Sequence, residues 1–345
     1  MSAEIRQPDL KQQFRAMAQG AQSLAIAYVG VVNALFPTLR RLGSADSDGL
    51  AAAAGMDAGY VRRWCDAAFA FDFLEADGET FRLSRSGAAM LPDAPESLMP
   101  LAVQAALNMH MAERATALMR TGERPGEKVM AERETLLPWF GPMLESSFAS
   151  FFEQTICPGV PVFAEVNARD GLVVDLGCGN GWYLRALARR FTSTRGLGVD
   201  GFDENIAQAT RLAEAEGLGE RLSFISGDAH DFSLNEPADI IAMNRALHHV
   251  WEAGGGAFIR RLRDNLRPGG AAVIWEPDWP ADRNALRAPA RRGLAFQNFS
   301  EHVQGNHLLG ADEIAAAFAA EGMTPEVFRF AEGQEAIIVA RRHAD

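Results

Sequence analysis

The spacing of apolar residues changes character about halfway along this chain. From position 171 onward, short apolar runs of strand length alternate with stretches of helical spacing. The runs at 172–176, 196–200, 222–226, 238–243 and 271–276 predict strands. Between them, 181–191, 203–216 and 254–267 predict helices, the last with an apolar stripe of Phe258, Ile259, Leu262 and Leu266. Leu266-Arg267-Pro268-Gly269-Gly270 reads as the turn that ends that helix. One more helix is expected at 312–321, then strands at 326–331 and 335–341. This alternation implies an α/β domain: a seven-stranded, mostly parallel sheet covered on both faces, the last pair closing as an antiparallel hairpin. Ligands in such sheets bind beyond the C-terminal ends of the strands.

The first half has a different pattern. Residues from about 10 to 42 read as helices, and the apolar run Leu24 to Phe36 suggests burial on more than one side, as at a subunit interface. Asp48 to Met56 is a helix-turn signal, and Ala58 to Phe73 sets Val61, Trp64, Ala68 and Phe71 on one helical face. Strand-like pieces near Leu74-Glu75 and Phe81 to Leu83 flank the turn Asp77-Gly78. Helix-turn-helix followed by a hairpin is a winged-helix arrangement. The prolines of Leu91 to Pro95 and Pro100 mark a linker, after which 101–120 and 131–157 look helical. The expected organisation is therefore a winged-helix-like dimerisation domain at 1–95, a helical linker or lid at 96–160, and a ligand-binding α/β domain at 161–345.

Composition narrows the function classes. A length of 345 residues is natural for two domains, and 48% hydrophobic with 23% charged residues describes an ordinary globular protein. The net charge of −12 argues against nucleic acid as a partner, and the second helix of the winged-helix region mixes Arg62 and Arg63 with Asp66 and Asp72 rather than showing a basic footprint. Cys65, Cys157 and Cys178 are far apart and give neither a disulfide framework nor metal spacing. The first fourteen residues have no apolar signal core, and the run 24–36 is too short to cross a membrane, so a cytoplasmic protein is expected.

The most informative stretch is Val173-Val174-Asp175-Leu176-Gly177-Cys178-Gly179-Asn180-Gly181. Three glycines at every second position allow a tight strand-to-helix turn and a close approach of backbone to ligand. An acid at the strand tip repels phosphate and suits a ligand carrying an ammonium group. Asp200 ends the next strand-like run, where an acid reaches ribose hydroxyls. A third acid, Asp228 in Ser226-Gly227-Asp228-Ala229, can accept from an exocyclic amine of adenine. In this order, these motifs resemble the class I S-adenosylmethionine-dependent methyltransferases, with their Rossmann-like sheet. The resemblance implies S-adenosyl-L-methionine as cofactor, held by Asp175, Gly177, Cys178 and Gly179 at the methionine end. Asp200 and Gly201 then serve the ribose, Phe202 covers the adenine, Asp228 and Ala229 meet its edge, and Asn244 lies at the next strand tip. The N-terminal module resembles that of plant-type O-methyltransferases, which implies a homodimer and a small-molecule methyl acceptor.

Methyl transfer to a hydroxyl needs a base near the methyl donor. The fourth strand runs into Asn244-Arg245-Ala246-Leu247-His248-His249-Val250, and a histidine there titrates near neutrality. By position His248 matches the base of the plant-type O-methyltransferases, although their His is followed by Asp and Trp where this chain has His249 and Val250. Glu276, ending the fifth strand, matches the glutamate that orients that base. The segment from Asp278 to about 310 is an insertion with Trp279, Asn298 and His302, and together with His249 these are the expected acceptor-pocket residues. The preferred reading is O-methylation of a hydroxylated aromatic metabolite with no metal. Two alternatives stand beside it. His248 and His302, with Glu276 or a water, would form a metal site resembling that of C-methyltransferases acting on α-keto acids. A cofactor-binding transcriptional regulator would use the winged helix instead.

Overall fold

Leu172–Leu176 is buried at every position, as befits a strand covered on both faces. It is the centre of a seven-stranded sheet in the computed structural model, which describes residues 7–126, 129, 132, 136–252 and 255–344. In chain order the strands are β1 (Leu74–Asp77), β2 (Thr80–Leu83), β3 (Leu172–Leu176), β4 (Arg195–Asp200), β5 (Leu222–Ser226), β6 (Ala238–Asn244), β7 (Leu266–Pro277), β8 (Met323–Phe330) and β9 (Glu335–Arg342). The large sheet has the order β5-β4-β3-β6-β7-β9-β8, with β9 antiparallel to both neighbours and the rest parallel. The order reverses between β3 and its neighbours β4 and β6, which opens a crevice at their C-terminal ends. Asp175, Asp200 and Asn244 lie at or next to those ends, and Glu276 lies near the end of β7, which pairs with β6.

Alternate residues feed two cores. Val173 packs with Phe152, Trp182, Tyr183 and Trp275 on one face. Leu172, Val174 and Leu176 pack with Ile241, Leu262, Ile314 and Phe318 on the other. Five aromatic side chains, Phe148, Phe152, Trp182, Tyr183 and Trp275, crowd the first face, with Phe152 stacked on Trp275 at 6.1 Å between ring centroids. Before β3 come the helix Leu137–Phe151, its π-helical continuation Phe152–Ile156 and the short helix Val162–Asn167.

The chain divides into two compact units, one of residues 1–110 with 142–147 and one of 111–141 with 148–345. The first holds the helices Gln7–Val32, Leu35–Leu42, Ser47–Ala54 and Ala58–Ala70 and the β1–β2 hairpin. Asp46 and Asp57 start two of these helices by accepting from Gly49 and Tyr60 amides. Trp64 donates to the Ile26 carbonyl at 3.0 Å and meets Phe36 edge-on. Positions 9–22 of the long first helix are exposed on all sides.

Three expected boundaries move for physical reasons. The helix from Ala58 stops at Ala70 because Asp72 takes a left-handed conformation, φ 59°, so Phe73 enters the core and Phe71 stays half-buried. The expected turn at 266–270 is the start of β7: Leu266 pairs with Ala238, and a register shift with Gly269 at φ 75° absorbs the irregularity. β8 starts at Met323, three residues early, and carries Pro325, which an edge strand tolerates. Positions 131 and 133–135 of the helix expected at 131–157, and 254 of that at 254–267, lie outside the described residues.

The glycine loop explains one strict demand of the sequence. Gly181 caps the helix Trp182–Arg190 at φ 74°, and a Cβ there would sit 2.6 Å from the Phe224 ring. Gly181→Ala adds a left-handed conformation to an overpacked contact, together about 2–4 kcal/mol. A lowered midpoint in urea unfolding is the expected result, and an unchanged midpoint would refute this account of the loop.

Candidate active site

The loop after β3 is tied to the tip of β4. Amides of Gly177 and Cys178 donate to the Val199 carbonyl at 2.8 and 3.1 Å, and the Gly179 amide donates to Asp200 Oδ2 at 2.9 Å. Asp200 Oδ1 accepts from the Phe202 amide and from Asn205 Nδ2, both at 3.0 Å. Three of the four acceptor positions of the buried Asp200 carboxylate are thus filled, leaving one on Oδ2. Gly177, Gly179 and Gly181 all have positive φ, and a Cβ on Gly179 would meet nothing within 4 Å, so at Gly179 the loop presents bare backbone to an open space. Asp175, almost fully buried, accepts from Asn244 Nδ2 at 2.9 Å. Burial pushes its carboxyl up to about 8, with the Asn244 bond opposing and the Asp200 charge adding. Cys178 is buried with its thiol against the Gly179 carbonyl, and burial pushes that thiol upward.

Beyond β6 the chain must turn sharply. Arg245 does so at φ 56°, donating its amide to the Trp275 carbonyl at 2.7 Å. Its guanidinium pairs with Glu335 at 2.6 Å and lies 4.1 Å from the centroid of Phe148. The short helix Leu247–Trp251 follows, and Glu276 of β7 holds its start. Glu276 Oε1 accepts from the amides of Leu247 at 2.8 Å and His248 at 3.3 Å, and Oε2 meets His248 Nδ1 at 2.8 Å. Both side chains are 2% exposed. On the other side of the imidazole, Nε2 lies 3.7 Å from Glu301 Oε1, beyond hydrogen-bond length, and is buried without a hydrogen-bond partner. Burial alone would lower the proton affinity of His248; the charges of Glu276 and Glu301 outweigh it and bring the imidazole up to about 10. Burial likewise opposes ionisation of Glu301, and His248 draws it down to about 2.

The expected acceptor-pocket residues separate. His249 is next to the site: its ring centroid is 4.2 Å from that of His248, and Nδ1 meets the Asn306 amide at 2.8 Å. His302 is exposed, one position past Glu301 on the helix Arg292–Gln304, so the pairing of His248 with His302 that the metal alternative required does not form. One residue turns about 100° around a helix, and that step exchanges the histidine for the glutamate. Asn298 accepts from the Leu308 amide at 2.7 Å and fixes the loop after this helix. Trp279 is half-buried, its amide on the Leu309 carbonyl. At the tip of β5, Asp228 is exposed and caps a short turn over Ala229–Asp231 by accepting from the His230 amide; that bond, then the His230 side chain, holds its carboxyl below the usual range. Gly201 is exposed and Phe202 half-buried at the start of the helix Asp203–Ala215. Glu301, Asn205, Asn306 and Arg245 were not singled out by the sequence. Arg245 and Asn205 lie beside quoted motifs, but Glu301 is marked only by the phase of its helix.

Residues 173–270 match the family model described as "Methyltransferase domain". The chain carries a methyltransferase domain. The match ends before Glu276 and Glu301. Curated relatives align over part of the chain: an uncharacterized Escherichia coli protein, YjhP, is 41% identical over 108 residues, covering 31% of this chain and 42% of that protein. The trans-aconitate 2-methyltransferase of Streptomyces avermitilis is 33% identical over 114 residues, covering 32% and 42%. The chain thus spans less than half the length of either. Solved structures align along nearly the whole chain. An O-methyltransferase family protein from Burkholderia thailandensis superposes with a TM-score of 0.73 at 19% identity, covering 99% of both chains. Human N-acetylserotonin methyltransferase, crystallised with SAM, gives 0.72 at 18% identity, covering 99% of this chain and 100% of that one. These likenesses establish that the methyltransferase domain and the helical region before it share the fold of those enzymes. Among the described residues, no single helix is long and apolar enough to cross a membrane.

Proposed function

We propose that this protein transfers a methyl group from S-adenosyl-L-methionine to a hydroxyl of a small, flat metabolite, with His248 as general base. The observation that carries the reading is the buried His248–Glu276 pair at 2.8 Å, beside the Asp175–Asn244 contact at the crevice of the sheet. Glu276 keeps a proton on Nδ1 and leaves Nε2 as the basic atom. As the acceptor oxygen attacks, Nε2 takes its proton and Glu276 offsets the charge of the imidazolium. In the ligand-free pocket the imidazole already holds a second proton at neutral pH, and a cationic ligand alongside it lowers that affinity. Glu301 adds a carboxylate on the far side of the ring, a role we assign to strengthening the base.

The cofactor supplies, when bound, an electrophilic methyl group on a sulfonium. The site fits it: bare glycine backbone, one unfilled acceptor position on Asp200 for a ribose hydroxyl, and Asp175 for an ammonium group. Gly201, Phe202, Asp228 and Ala229 line the expected adenine side. The helix Arg292–Gln304, with His249, Trp279 and Asn298, is assigned to the acceptor. Residues 1–95 are read as the winged-helix-like dimerisation domain, 96–160 as linker and lid, and 161–345 as the catalytic domain. Leu10, Phe14 and Met17 support a homodimer, for they are exposed at one helical spacing, Phe14 by 68% and Met17 by 65%.

Binding should be coupled to a proton. Asp175 is held up to about 8, so at pH 7 the free protein carries that proton and an ammonium ligand must expel it. Calorimetry on His248→Ala, which takes the imidazole proton out of the balance, in buffers of different ionisation enthalpy should give close to one proton released per cofactor at pH 7. Affinity should rise with pH until about 8, where the ligand's own amino group begins to deprotonate. Release of no proton at pH 7 would remove the ammonium assignment.

His248→Ala should lower turnover by about 10²–10⁴-fold with cofactor affinity nearly unchanged. Glu276→Gln should lose turnover comparably, because the amide keeps the two backbone bonds but sets an N–H against Nδ1 and moves the proton to Nε2. A methylation screen over phenols, α-keto acids and amines reads both variants, and full activity in His248→Ala would exclude it as base. Sedimentation at micromolar concentration should show a dimer, and Phe14→Glu should shift it to monomer; a wild-type monomer would refute the interface.

A further inference from the structure

His248, His249 and Glu301 each offer one ligand atom, and these three atoms lie within 4.8 Å of one another. Three independent observations point to an ion among them. The first is the orphaned Nε2 of His248, buried and facing a carboxylate oxygen at 3.7 Å with no hydrogen bond between them. The second is the Glu276 contact on Nδ1, for a carboxylate on one ring nitrogen is the arrangement that fixes a metal-binding histidine. The third is charge. Glu276 accepts from three N–H groups and so acts as an ionised carboxylate, and Glu301 accepts from Gln304 Nε2 at 2.8 Å. Two buried carboxylates face one imidazole, and a dication neutralises both while His248 stays in its Nδ1–H form. His249, its ring centroid 4.2 Å from that of His248 and tilted 35° to it, then adds a second nitrogen without like-charge repulsion.

We propose that His248, His249 and Glu301 bind one divalent ion of the zinc or cobalt class, and that the ion blocks the base by taking the Nε2 lone pair. Two imidazoles and one carboxylate select such borderline metals over magnesium or calcium. Donors bonded at about 2.1 Å can be no more than about 4.2 Å apart, so the widest pair closes by up to about 0.6 Å on binding. The blocking half rests on the proposed role of His248; the binding half does not.

The test begins with the full-length protein freed of metal by chelator and titrated with cobalt(II). One equivalent should bind and give visible ligand-field absorption, and zinc should displace it. Glu301→Gln and His249→Ala should each raise the cobalt Kd at least about tenfold, whereas His302→Ala should not. In the unaltered protein, cobalt should perturb the ring-proton resonances of two histidines, a readout that needs no variant to fold. Absence of stoichiometric binding, or binding untouched by both substitutions, overturns the site. Zinc should then inhibit methyl transfer, and chelator should restore it. Loss of methyl transfer on chelation overturns the blocking role. Cobalt binding in a protein that methylates no acceptor leaves the ion site standing and refutes the methyl-transfer reading instead.

Discussion

One buried carboxylate organises the centre of this molecule. Glu276 leaves the end of β7 and accepts from two backbone amides and one imidazole nitrogen of the neighbouring β6 extension. Those amides belong to the first turn of Leu247–Trp251, where a helix has no internal acceptor for them. The same group therefore starts the helix, holds Nδ1 of His248 and fixes where the ring stands. β6 and β7 are paired in register up to Asn244 and Trp275, so the histidine is located as firmly as the sheet itself.

The sheet was legible in the sequence because each strand is short, apolar and bounded by turn residues. β3 and β5 begin and end as the periodicity predicts. Where the expectations moved, a local pattern gave way to pairing: 266–270 has the composition of a turn, yet Leu266 finds Ala238 across the ladder. The acidic tips of β3 and β4 were equally readable, since an acid after an apolar strand has few packing reasons to be there. Glu301 was not, because a glutamate among polar residues of a helix looks solvated. Only its rotation toward the core distinguishes it from the exposed His302 beside it.

The comparisons divide along the same line. The family match covers 173–270, the stretch that holds the positive-φ glycines of the loop and the strand-tip acids. The fold likeness extends over 99% of the chain at 19% identity, because apolar packing tolerates exchange provided volume and pattern persist.

The helix Arg292–Gln304 lies between β7 and β8, outside the ladder of parallel strands. It contributes Glu301 to the histidine, while the glycine loop and Asp200 lie on β3 and β4. Substitutions on this one helix can therefore reshape what is presented to His248 without passing through the residues that hold the loop after β3. The surroundings of the buried histidine can thus change through a single helix while the strand tips and their loop keep their geometry.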